Sequence, residues 1–155
     1  MKTVNPAWVE FVLPFINTCP FFKNQNMKIV DLKYGESFLE IEIDQKHLQA
    51  YGTVHGGVYA ALIDATGWWA VFTQVEGLYN AFTAEMKLNY LASAKSGKFI
   101  AHGKCIKLGK NLGLGEATIK NEKGKLLAHG TVTVMVTEPF EYPGVEKVPP
   151  KLIDM

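Results

Sequence analysis

A single carboxylate interrupts the twenty residues Gly56–Val75, and this position, Asp64, is where the chain has its most conspicuous reactive group. A charged carboxylate among apolar neighbours must find hydrogen bonds, a charge partner or a proton. Each arrangement also prepares a general base. A structural aspartate held by the backbone of a neighbouring loop is the alternative. His55-Gly56-Gly57 directly precedes the run. Two glycines allow close backbone approach. The first N–H groups of a helix lack internal partners and carry the positive end of its dipole, so they suit an anion or a developing oxyanion. The simpler role for the pair is tight packing of the helix on a sheet. Gly57 and Asp64 lie seven residues apart, about two turns and ~10 Å along one helical face. One substrate carbonyl cannot bridge that span, so joint action on one carbon requires Asp64 from a second subunit.

The elements that position these groups follow from hydrophobic spacing. Gly56–Val75 is apolar nearly all round, as in a helix buried on most sides or a membrane span. Asp64 near its middle, Gln74 and flanks without a Lys cluster oppose the span, since a central Asp costs roughly 2.5–3.5 kcal/mol on insertion scales. The expectation is a helix wrapped by a curved antiparallel sheet and touching a second copy of itself. Period-two alternation from Met27 onward predicts strands: Leu39, Ile41 and Ile43 are apolar between Glu40, Glu42 and Asp44. In Thr83–Leu91, Ala84, Met86, Leu88 and Tyr90 alternate with Thr83, Glu85, Lys87 and Asn89. Lys98–Lys107, Leu114–Asn121 and Lys125–Thr137 complete the set, with a hairpin loop at 121–124. With no helix between them, the strands after residue 80 should pair antiparallel. Asn5-Pro6 predicts a capped N-terminal helix that Pro14 breaks or kinks and Pro20 ends. Pro139, Pro143, Pro149 and Pro150 predict a tail extended over the surface.

The 155 residues amount to one domain. Sixteen Lys and no Arg against fifteen acidic residues give a net charge of +1, which argues against nucleic acid as the main partner. Cys19 and Cys105 make neither a disulfide framework nor a zinc site. The opening, with Lys2 followed by Pro6 and Glu10, lacks the pattern of a signal peptide, so the expectation is a cytoplasmic protein with reduced thiols.

Gly52-Thr53-Val54-His55-Gly56-Gly57 followed by Leu62-Ile63-Asp64-Ala65-Thr66-Gly67, with Asp nine positions after His, resembles the PaaI-type acyl-CoA thioesterases of the hotdog superfamily. Met86–Leu91 with Ala94, Gly109-Lys110, Gly115–Ile119 and Gly124–Ala128 extend the likeness, which covers roughly residues 27–136. The resemblance implies an α+β hotdog fold over 27–137, flanked by a helical extension (1–26) and a Pro-rich tail (138–155). It implies hydrolysis of a small-molecule acyl-CoA by a homodimer or homotetramer, with no metal or organic cofactor and no membrane partner. On this likeness the Gly56 N–H polarises the thioester carbonyl, with Gly57 beside it, and Asp64 of the opposing subunit acts as general base or nucleophile. Thr83 helps to position water. Gln49 stands where many relatives have Asn, and its extra methylene shifts the carbonyl geometry or moves the role. His55 shapes the loop or takes part directly. Lys107 and Lys110 meet the CoA phosphates, or form an ordinary solvated turn. Trp68, one turn beyond Asp64, is the better pocket candidate among Trp68, Trp69, Phe72 and Phe82, which otherwise are simply core. Two rival expectations remain: a dehydratase or hydratase pairing His55 with Asp64, and a non-catalytic acyl-CoA-binding module.

Overall fold

In the computed structural model, which describes residues 1–155, the apolar run becomes helix α3 (Gly56–Phe72). His55 starts it. Its backbone is extended (φ −64°, ψ 138°), and its Nδ1 accepts from the Gly57 N–H at 2.8 Å, giving the helix a side-chain N-cap. The helix ends three residues before the expected Val75. Thr73 caps it, and the Thr73, Gln74 and Val75 amides turn back to Trp69, Val71 and Phe72.

Around α3 curls an antiparallel sheet of six strands: β2 (Met27–Lys33), β3 (Glu36–Glu42), β4 (Tyr79–Tyr90), β5 (Lys98–Leu108), β6 (Leu112–Asn121) and β7 (Leu126–Pro139). This is the helix wrapped by a curved antiparallel sheet that the periodicity predicts, and the hotdog architecture that the resemblance implies. The alternation resolves as expected, with Leu39 and Ile41 fully buried against the helix and Glu40 and Glu42 on the other face. Phe99, Ala101, Ala117, Ile119, Leu127, Val132 and Val134 complete the inner surface beneath Leu62 and Ile63. Helix and sheet approach backbone to backbone. A Cβ on Gly103 or Gly115 would stand 2.5–2.6 Å from the Thr66 or Gly67 carbonyl oxygen. The Ser37 hydroxyl fits between the layers and donates to the Thr66 carbonyl at 2.6 Å.

The spatial order is β2-β3-β5-β6-β7-β4, and every neighbouring pair is antiparallel. β4 therefore lies beside β7, not β5, and its other edge is unpaired. On α3 the sheet leaves one stripe incompletely covered: Gly56, Gly57, Ala60, Ala61, Asp64, Ala65 and Trp68, a helical i, i+3/i+4 series. No helix is long and apolar enough to cross a membrane.

The chain ends depart from expectation. Helix α1 (Pro6–Asn17) is capped by Asn5, whose Oδ1 accepts from the Ala7 N–H at 3.1 Å, but it runs on through Pro14. Pro14 is exposed, so the carbonyl it leaves without a donor faces water. Pro20 does not merely end a helix; it opens a second, α2 (Pro20–Asn24), at the first helical position where a missing N–H does no harm. The tail is not simply laid over the surface. Its strand β8 (Leu152–Asp154) pairs with β1 (Lys2–Val4), and Asn5 binds the Pro150 and Lys151 carbonyls. This ribbon carries the Lys151 side chain inside. The Lys151 Nζ has no hydrogen-bond partner and sits 3.7 Å from the Phe72 ring centroid, with Trp8 beyond, and burial pushes its pKa down to about 7.

Candidate active site

Asp64 is half-buried on the uncovered stripe of α3, beside β4. The exposed Thr83 of β4 donates its hydroxyl to Asp64 Oδ1 at 2.6 Å. This bond orients the carboxylate and leaves Oδ2 without a partner among the protein's hydrogen bonds. The pairing of Asp64 with Thr83 follows from their shared position at the open edge of the sheet.

Eight residues earlier, the Gly56 N–H opens the helix about 12 Å away along the axis. Its neighbour is already engaged, because the Gly57 N–H donates to His55 Nδ1. Gly56 thus offers the amide at the helix start that no side chain takes up, while Gly57 and His55 serve the cap. A depression of about 340 Å³ opens over Gly56, lined by Val54, Tyr59, Tyr90 and Leu91. Tyr90 packs so closely that a Cβ on Gly56 would meet its ring at 3.2 Å. Sequence reasoning placed Tyr90 on a strand face without connecting it to Gly56; only the curvature of β4 brings the two together.

Gln49 is not brought to this amide. Its Nε2 donates to Thr53 Oγ1 at 2.6 Å and its Oε1 accepts from the Tyr51 N–H, so both ends of the side chain close their own loop. Trp68 lies one turn beyond Asp64, donates its Nε1 to the Ala81 carbonyl at 3.1 Å and stacks on Phe72 with ring centroids 4.5 Å apart. Phe82 is exposed on β4. Lys107, near the end of β5, and Lys110, in the β5–β6 turn, are exposed and without ion-pair partners. Lys110 rims a depression of about 540 Å³ with Tyr34, Gln74 and Tyr79, beyond the C-terminal end of α3. Both cysteines are free, and burial raises the pKa of the Cys105 thiol.

The arrangement supplies an oriented carboxylate and, two turns away, a free amide at the positive end of a helix. Such groups suit proton abstraction and oxyanion stabilisation at a carbonyl.

Comparison with known proteins agrees with this chemistry. A family model described as the thioesterase superfamily matches residues 51–128, which contain α3, its glycine start and Asp64. Human acyl-coenzyme A thioesterase 13 is 31% identical over 68% of this chain and 76% of its own length. The fold is similar to that of the E. coli PaaI protein from the phenylacetic acid degradation operon, with a TM-score of 0.77 at 16% identity over 86% of this chain and 95% of that one. It is also similar to a Streptococcus mutans protein solved with acetyl-CoA bound, with a TM-score of 0.68 at 26% identity over 75% of this chain and 92% of that one. With its central helix and most of its sheet inside the matched span, the chain belongs to the thioesterase superfamily and is a thioester hydrolase of hotdog fold.

Proposed function

We propose that the protein hydrolyses acyl-CoA thioesters as a homodimer with two composite sites, each formed by Asp64 of one copy and the Gly56 N–H of the other. The observation that carries this reading is the placement of a Thr83-oriented carboxylate and a free helix-start amide on one uncovered stripe, about 12 Å apart. The stripe between them is built of Gly57, Ala60 and Ala61, with Ala65 just past Asp64, small enough for two helices to lie closely side by side. Antiparallel pairing about a two-fold axis would bring Gly56 of each copy towards Asp64 at the middle of the other copy's helix.

In the reaction, Asp64 removes a proton from water as the water oxygen attacks the thioester carbonyl. The Gly56 N–H receives the developing oxyanion. Collapse breaks the C–S bond, and the proton held by Asp64 returns to the departing thiolate, giving a carboxylic acid and CoA thiol. In the nucleophilic variant, the Asp64 carboxylate attacks the carbonyl and the C–S bond breaks to release CoA thiolate; water then cleaves the mixed anhydride, giving the acid and the Asp64 carboxylate, with one water proton passing to the thiolate. Both routes proceed without a metal or organic cofactor. Lys107 and Lys110 are suited to the CoA phosphates, and such contacts between flexible point charges weaken with salt. Acyl-CoA substrates and free thiols suit a cytoplasmic enzyme.

The hydratase reading asks His55 to exchange protons with substrate, but its Nδ1 accepts from the Gly57 N–H, which favours hydrolysis. The test is thiol release from acyl-CoA by wild type and Asp64→Asn. The variant should lose at least ~10²-fold in kcat, the scale of a positioned base. Activity within threefold of wild type across several acyl-CoAs would remove Asp64 from the mechanism.

A further inference from the structure

Beyond Asp64 the surface does not close. An apolar recess of about 170 Å³ begins one helical turn along α3 and two residues before Thr83 on β4, at Trp68 and Ala81. Its far wall comes from outside the matched superfamily span: Phe15 and Ile16 of α1, and Phe140 and Tyr142 of the tail. The wall is braced by ring contacts. Tyr142 meets Phe11, Phe15 and Phe140 edge-on at centroid distances of 5.1–5.5 Å, and Phe72 lies flat against Trp68. Two of the polar groups at its lining are already engaged. The Trp68 indole N–H is bonded to Ala81, and the Asn80 amide donates to Glu138. An apolar guest would therefore strand none of these groups, and it gains from leaving water.

Resting on the thioesterase reading above, we propose that this recess receives the end of the acyl group, and that α1 and the C-terminal tail set its upper size. A cavity of about 150 Å³ lined by aliphatic and aromatic residues holds one benzene. The fitting substrates are thus thioesters of unbranched or ring-ended apolar acids with about five or six carbons beyond the carbonyl carbon. The core fold supplies the reacting groups, and the two flanking segments supply the selection.

The test is kcat/KM for acetyl-, hexanoyl- and decanoyl-CoA in wild type, Phe15→Ala and Ala81→Leu. Phe15 is 53% exposed, so its truncation opens the far wall without removing core. Each buried methylene favours binding about fourfold, so hexanoyl-CoA should exceed acetyl-CoA by at least ~10-fold, and decanoyl-CoA should fall below hexanoyl-CoA. Phe15→Ala should raise the decanoyl-to-hexanoyl ratio at least ~10-fold, and Ala81→Leu, which fills the recess, should lower the hexanoyl-to-acetyl ratio by a similar factor. Hydrolysis without chain-length preference, or a preference that neither variant alters, overturns the proposal while the hydrolase reading stands. The latter result is also the one expected if a side chain of a second copy fills the recess. Failure to hydrolyse any of the three overturns both.

Discussion

Replacing Lys151 with Met should stabilise the protein, and the gain should depend on pH in a defined direction. The amine is 3% exposed by residue, has no hydrogen-bond partner, and faces the rings of Phe72 and Trp8. Burial lowers its pKa from an ordinary 10.5 to about 7. Folding therefore works against the charged form, by about 5 kcal/mol at ~1.4 kcal/mol per pH unit. The sign follows from proton counting. Between pH 7 and 10.5 the unfolded chain holds a proton at Lys151 that the folded chain has released, so wild-type stability rises with pH through this window. Below pH 7 both states are protonated and the full penalty remains. Met fills similar space without a charge. Urea unfolding of both proteins at pH 6 and pH 9.5 measures the difference, in which other titrating groups cancel. Lys151→Met should be more stable by up to about 5 kcal/mol at pH 6, with the margin shrinking at pH 9.5. Equal stabilities at pH 6, or a margin unchanged between the two pH values, would show that the amine keeps its ordinary pKa and refute the burial argument.

Thr83→Val removes the hydroxyl that orients Asp64 and should lower kcat about tenfold, the scale of one lost hydrogen bond, with Thr83→Ser restoring most of it. Because Thr83 is exposed, the melting temperature of the Val variant should remain near that of wild type. Gly115→Ala forces a methyl group to within 2.6 Å of the Gly67 carbonyl oxygen and should destabilise by about 1–3 kcal/mol in denaturant titrations.

Local sequence carried the central part of this structure. His55-Gly56-Gly57 marked the start of α3 because a cap and glycines act within a few residues, and the alternation at Leu39 and Ile41 marked which face of a strand is buried. Long-range pairing was not readable in this way. Nothing within Tyr79–Tyr90 states that its neighbour is β7, since register depends on how the whole sheet curls around α3. The ribbon of β1 with β8 joins the two ends of the chain, and the prolines that precede β8 imply only that the tail cannot enter a central strand. Lys151 was missed because a buried lysine contradicts the usual partition of residue types, and only the rings of Phe72 and Trp8 make room for it. At the site, Asp64 stood out by its isolation and Thr83 by its strand face. Gln49 shows the limit of positional likeness: an amide at the expected place in sequence turns back onto Thr53 and Tyr51, a choice made by loop geometry.

The shared site is tested most directly by pairing two inactive chains. Asp64→Asn removes the carboxylate. Gly56→Pro removes the amide hydrogen at the first helical position, where proline is tolerated. Heterodimers isolated through two different affinity tags should recover about half of the wild-type rate of thiol release, because one of their two sites keeps both groups. Heterodimers as inactive as either parent homodimer would contradict the composite site.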